Sequence, residues 1–424
     1  MAIDAMQPSH SLETLTRRAF LQRAGLSALT LLSAAALSPA RAGTHSSHPT
    51  SASGRQTFVA CWDDARGQHH AGWLRLNESG QISVIRAQRL PTRGHGLALL
   101  PGGSLLVVAR RPGDWLLRLS PGKQPLWLWL DPGRVFSGHA HVAADKRTLF
   151  TTEMDTDSGQ GLLGVRDAAT LQKRAEWMTN GLDPHAVLAL PATKTVAISG
   201  LAQPSHPLVG MLFVANGGVD TAMETGRIKR DLQRMDSSII CLHPETGERL
   251  GQWRLPDPRL SLRHLAWSDT VATSAGAPGQ PRLGVALQAE HDDAAQRAAA
   301  PLLAVLRWDE QADGVLSAAH GQPALAGYGG DVAVLGRGAA AQFVVSATRG
   351  DALARFDLGG GFLGSTVLPQ AGALAVAGST LWAGASTGLG QLQRPAQAEA
   401  DCALAPWSAG RIDNHLLRFE RETG

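Results

Sequence analysis

The chain carries few charges, and they nearly cancel. Asp, Glu, Lys and Arg make up 18% of 424 residues, with 39 basic side chains against 36 acidic ones. That balance argues against a nucleic-acid partner, whose phosphates require a basic patch. No run of 18 or more apolar residues occurs, so no membrane-spanning helix is expected. The three cysteines, Cys61, Cys241 and Cys402, form no C-x-x-C pair. One disulfide can form at most. A Cys61–Cys402 bridge closing the fold is one option; three unpaired, semi-buried thiols is the other. No G-x-S-x-G elbow is present, so nothing local sets up a Ser-His-Asp triad. Gly359-Gly360-Gly361 lacks the lysine of a phosphate loop and reads as a turn.

What the chain has in quantity is turn residues: 47 glycines and 23 prolines beside 44% apolar residues. Breakers at that density suit a turn-rich all-β protein, and the apolar share is ample for a core.

Residues 1–42 read as an export signal. Thr16-Arg17-Arg18-Ala19-Phe20-Leu21 fits the twin-arginine pattern, an apolar run spans about Leu26 to Leu37, and Ala40-Arg41-Ala42 is a small-x-small cleavage site. Export to the periplasm by the twin-arginine pathway follows. Cleavage leaves 35 basic and 34 acidic residues, a net charge of +1. Residues 43–55 are rich in Ser, Thr and Gly and read as a flexible lead-in.

The remainder, 56–424, is predicted to be a seven-bladed β-propeller. Short strands separated by turns restart at His95, His141, His185, His264, Asp331 and Ala373, in steps of 46, 44, 79, 67 and 42 residues. Four strands per 40–50 residues is the signature of propeller blades. Insertions around 191–236 and 268–300 account for the two long steps. FVACWDD, GWLRLN and QISVIRAQ supply three strands of a further blade, so 27 of 28 places are filled. The missing innermost strand comes from one of the termini. Trp115, Trp127, Trp129, Trp253 and Trp267 lie within strands and are expected between blades.

In a propeller, the loops that enter each inner strand share one face with the loops joining the second and third strands. The first class carries His95, His139, His141, His185, His264 and Asp331; the second carries Arg110, Arg111, Glu153, Asp155, Asn216 and Arg349. Both sets are predicted to converge on one mouth of the central channel, a favoured place for ligands. Imidazoles with Glu153 and Asp155 suit Fe, Cu or Zn better than calcium or magnesium. Two other readings are a structural ring, in which each histidine bonds a neighbouring blade, and a site for an anionic small molecule. The insertion Val219–Asp236, with a short helical stretch after Gly226, is placed to cover the mouth as a lid or to form an ordered surface excursion.

Several segments resemble those of domain-of-unknown-function family 1513. They are RGHGLAL at 93–99, VVARRPG at 107–113, GHAHV at 138–142, LFTTEMDTDSGQGLLGVRDA at 149–168, GLDPHAV at 181–187, LFVANGGVDT at 212–221, SLRHLA at 261–266 and DNHLLRF at 413–419. The resemblance implies a WD40/YVTN-like propeller and a role in periplasmic iron handling beside imelysin-type proteins. It implies no catalytic residues. The chain departs from the family pattern at 286–293 and near Ala373.

Function is therefore expected to be that of a non-enzymatic binding or scaffold protein tied to iron or metal handling. The alternative is a metal-dependent or redox enzyme, such as a lactonase-like hydrolase or an oxidoreductase, using the same mouth.

Overall fold

The computed structural model describes residues 55–191, 210–222, 228–229, 231–268, 280–308, 314–393 and 402–420. The expected signal peptide and almost all of the lead-in lie outside the described residues.

Seven four-stranded antiparallel sheets form the seven expected blades. Blade 2 runs Gly94–Leu100, Ser104–Ala109, Trp115–Leu119, Leu126–Trp129, from inner strand to outer, and blades 3 to 6 repeat that order. Blade 3 begins at Arg134, blade 4 at Pro184, blade 5 at Leu260, blade 6 at Gly329 and blade 7 at Leu374. The ring is closed by the C-terminal end of the chain. Strand Gly410–Arg418 pairs with Gln56–Asp64 and becomes the inner strand of blade 1, outside which lie His69–Leu76 and Ile82–Arg89. It also packs on the inner strands of blades 2 and 7, which completes the ring. Hydrogen bonding closes the ring without a disulfide; Cys61, Cys241 and Cys402 are all free thiols.

The core is not central. Seven apolar clusters lie between the seven pairs of adjacent blades. A middle strand is thus covered on both faces. Ser104–Ala109 (SLLVVA) is buried at every position and reads as an unbroken apolar run rather than an alternation. Trp115 is fully buried in this way between blades 1 and 2. Trp129 is on the outermost strand instead, 54% exposed, contrary to its expected place between blades. Outer strands face a neighbour on only one side.

The insertion in blade 4 contains a two-stranded ladder, Thr221–Ala222 with Ile228–Lys229, followed by a 3-10 turn at Leu232–Arg234. The helical stretch expected after Gly226 is thus a short strand and a 3-10 turn among the described residues. Lys229 is ion-paired with Glu290, which ties this excursion to blade 5.

Candidate metal centre

Six of the seven inner strands carry a β-bulge, and the bulges hold the axial side chains. In blade 2, His95-Gly96 oppose the single residue Val108; in blade 4, His185-Ala186 oppose Ala215. In blade 5, Arg263-His264 oppose Ala286, and in blade 6, Gly330-Asp331 oppose Ser346. Blades 3 and 1 hold three residues against one, Ser137-Gly138-His139 and Asp413-Asn414-His415. Blade 7 pairs without a shift over Leu374–Ala377. A bulge frees a residue from the ladder and re-aims its side chain. Here the re-aimed side chains are five histidines and an aspartate.

The five imidazoles form one cluster. His139 is central, with ring centroids 4.8 Å from His95, 4.5 Å from His185, 5.0 Å from His264 and 4.8 Å from His415. One nitrogen from each of His95, His139, His264 and His415 lies within 4.8 Å of the other three. His185 joins through Nε2, 3.1 Å from Nε2 of His264. A tetrahedral metal with bonds of about 2.1 Å sets its nitrogens about 3.4 Å apart. Gly138 makes the cluster possible. Its φ is +106°, and a Cβ there would come within 2.8 Å of His95 Cδ2.

Burial governs the charge state. It pushes His95 down to about 4, against a partly opposing pull from Asp413. His139, His185 and His415 are held well below the usual range, first by burial and then by neighbouring imidazoles and arginines. Neutral imidazoles are the form that binds metal. Several nitrogens have nothing to bond: His95 Nδ1, His139 Nε2, His185 Nδ1 and His415 Nε2 are buried without a hydrogen-bond partner. Native interiors seldom leave such groups unpaired.

Carboxylates stand behind the rings. Asp331 Oδ1 lies 3.3 Å from His264 Nδ1, and its Oδ2 accepts from the Leu374 amide at 2.9 Å, which ties blade 6 to blade 7. Asp413 accepts from Arg93 Nε at 2.7 Å and sits 3.9 Å from His95 Nδ1. Asp183 accepts from Arg263 Nη1 at 2.7 Å and from Arg111. Burial alone would raise the Asp183 carboxyl; the two guanidiniums outweigh it and hold it low. Gly217 leaves room for this pair, since a Cβ there would sit 2.7 Å from Asp183 Oδ2 and 2.8 Å from Arg263 Nη1.

The remaining expected site residues lie elsewhere. His141 stays in the regular ladder opposite Phe150, beyond the blade-3 bulge. The bulge breaks the alternation that would have aimed it with His139, and it lines a groove of about 750 Å³ beside Phe150 and Trp177. Glu153 is fully buried but committed to Arg166 (2.8 Å), Lys173 (2.6 Å) and Thr151 (2.6 Å). Asp155 caps its own turn through Asp157 and Ser158 and pairs with Arg134 at 2.5 Å. Neither carboxylate is available to the cluster. Asn216 donates to the Thr179 carbonyl at 2.8 Å, and Arg349 lies over Tyr328, 4.3 Å from the ring centre. Arg110 adjoins the cluster, its charge bearing on His95 and His415. His415 was absent from the expected set. Its signal was legible in Asp413-Asn414-His415, which belongs to the inner strand that the blade count lacked.

A family model described as "Protein of unknown function (DUF1513)" matches residues 88–419. Among curated proteins no relative matches the chain. Among solved structures, the periplasmic gluconolactonase PpgL of Pseudomonas aeruginosa is similar at 14% identity and a TM-score of 0.53, over 87% of this chain and 99% of that one. Hydrazine synthase of Kuenenia stuttgartiensis is similar at 12% identity and a TM-score of 0.49, over 79% and 94%. These likenesses are of fold.

Proposed function

The chain belongs to the DUF1513 family of proteins of unknown function, and from that premise we propose that it is a binding propeller that holds a first-row transition metal ion among its axial histidines. The observation that carries this is the set of four imidazole nitrogens within 4.8 Å of one another, three of them from rings with a buried nitrogen lacking any partner. A ring that served only to lock blades together would direct those nitrogens at backbone groups. Ligand chemistry favours iron(II), copper or zinc, since neutral imidazoles suit them and serve calcium or magnesium poorly. Asp331 supplies a carboxylate that orients the His264 imidazole from behind.

Binding is favoured over hydrolysis. A lactonase-like cage needs carboxylates on the metal, and Asp183 and Glu153 are both tied up in ion pairs. The leader sequence makes the periplasm the proposed compartment, and an imelysin-type protein the partner to seek there by pull-down from a periplasmic extract.

Metal analysis of exported protein, purified without chelator, tests the reading. One Fe, Cu or Zn per chain is expected. In a thermal melt, an ion at a hundred times its Kd stabilises the fold by about 2.7 kcal/mol. An empty site and no shift with any of the three ions would sink the proposal.

A further inference from the structure

We infer that the site takes its ion together with a small carboxylate, held by the Nε–Nη2 edge of Arg263; this deepens the metal reading above and rests on it. The first observation is hydrogen bonding. Arg263 is fully buried, and its Nη1 is engaged by Asp183. Nε and Nη2 are shielded from solvent and have no partner. Those two donors form the edge of a guanidinium that a planar carboxylate meets with two parallel hydrogen bonds. A buried cation with three of its five N–H donors idle is costly, and an anion on that edge removes the cost.

The second observation is charge. Around the imidazoles stand four guanidinium groups, Arg93, Arg110, Arg111 and Arg263, and four carboxylates, Asp63, Asp183, Asp331 and Asp413. Among these described groups the formal charges balance. Metal-bound imidazoles are neutral, so a divalent ion adds two positive charges that no remaining charge among these described groups offsets. A low-dielectric pocket does not hold such an excess without a counter-anion.

The third is placement. Arg263 immediately precedes His264 in the blade-5 bulge. Its charge and that of Arg111 bear on His185.

The test is titration of the full exported chain with cobalt(II), followed by calorimetry and by the visible spectrum of the ion. Three salts of equal ionic strength are compared: chloride, acetate and sulfate. Acetate should tighten cobalt binding about tenfold over chloride, and cobalt should tighten acetate binding by the same factor. Arg263→Lys keeps the charge but loses the two-donor edge; it should still bind cobalt and lose the acetate effect. Because Arg263 also anchors Asp183, Arg110→Gln serves as a second variant. It removes one positive charge away from that pair, so it should tighten cobalt binding in chloride and shrink the gain from acetate. Equal cobalt affinity in all three salts would overturn the inference and leave the metal reading standing. Sulfate acting as well as acetate would overturn the carboxylate assignment. Failure of cobalt, iron, copper and zinc to bind in every salt would overturn the metal reading itself, and the inference with it.

Discussion

Two buried polar clusters in this propeller differ in composition and in how fully their hydrogen bonds are met. In blade 3, Glu153 is surrounded by Arg166, Lys173 and Thr151, and each of its oxygens has a partner. At the axis, five imidazoles crowd together while four ring nitrogens have none. The first cluster is complete without any outside group. It reads as a structural cross-tie between neighbouring strands of one blade. The second is incomplete as it stands, which is the observation behind the proposed metal. Burial of polar groups therefore does not by itself mark a site. Mutations and titrations that treat the two clusters alike should give opposite patterns.

The largest effect is expected at the complete cluster. Glu153→Ala strands a buried guanidinium, which typically costs about 3–5 kcal/mol. Chemical denaturation should show that loss, with metal affinity unchanged in whatever protein remains folded. A variant that lost metal but kept its stability would reverse the assignment.

At the axis the order inverts. His139→Ala with His415→Ala should abolish metal binding and with it the stabilisation of about 2.7 kcal/mol given by an ion at a hundred times its Kd. The metal-free fold should survive, because those imidazoles have few bonds to lose. A melt with and without metal reads both quantities.

Acid should separate the clusters too. His95 is held at about 4, below the ordinary value of about 6.5 for a free imidazole. Between those values the unfolded chain binds a proton that the folded chain does not. Stability of the metal-free protein is thus fully present above pH 6.5 and falls as pH drops through 6.5 toward 4. Unfolding in chelator across that range checks it; a flat profile would mean that protonated imidazoles are accommodated.

Gly138 offers a narrower probe. With φ at +106° and His95 Cδ2 within 2.8 Å of where an alanine methyl would sit, Gly138→Ala both strains the backbone and displaces a ring. About 1–3 kcal/mol is expected, together with weaker metal binding. Stability lost without any change in affinity would show that His95 is not needed by the ion.

Much of this arrangement was legible in the sequence, and the reasons for the gaps are physical. Strand positions show because covered strands are unbroken apolar runs between turns, as in SLLVVA at 104–109. His95, His185 and His264 show because the repeat places each at the same point of its blade, whereas in blade 3 the repeat counts from His141 and it is His139 that reaches the axis. Bulges do not show, since register is a relation between two strands and no single segment encodes it. That is why His139 and His141 looked equivalent. His415 was hidden for a related reason: its strand is first in the blade but last in the chain, so a count running forward from His95 never reaches it. Glu153 and Asp155 were grouped with the histidines by loop class, whereas their partners, Arg166, Lys173 and Arg134, come from their own blade.

His141→Ala gives the smallest effect and the sharpest check on register. Its ring sits opposite Phe150 in regular pairing, half-buried along the groove beside Trp177. Burial and the Lys146 charge hold its pKa at about 4, so the ring is neutral at the pH of a metal titration. Neutrality alone does not make a ligand; direction does. Residues two apart point the same way only along an unbroken strand, and the extra residues at Ser137-Gly138-His139 end that equivalence. Truncating the ring should cost about 1 kcal/mol or less of packing and leave metal affinity where it was. The double variant His141→Ala with His185→Ala should then match His185→Ala alone in calorimetry. If instead His141→Ala weakens binding as much as His139→Ala does, the blade-3 bulge is misplaced and both rings face the axis.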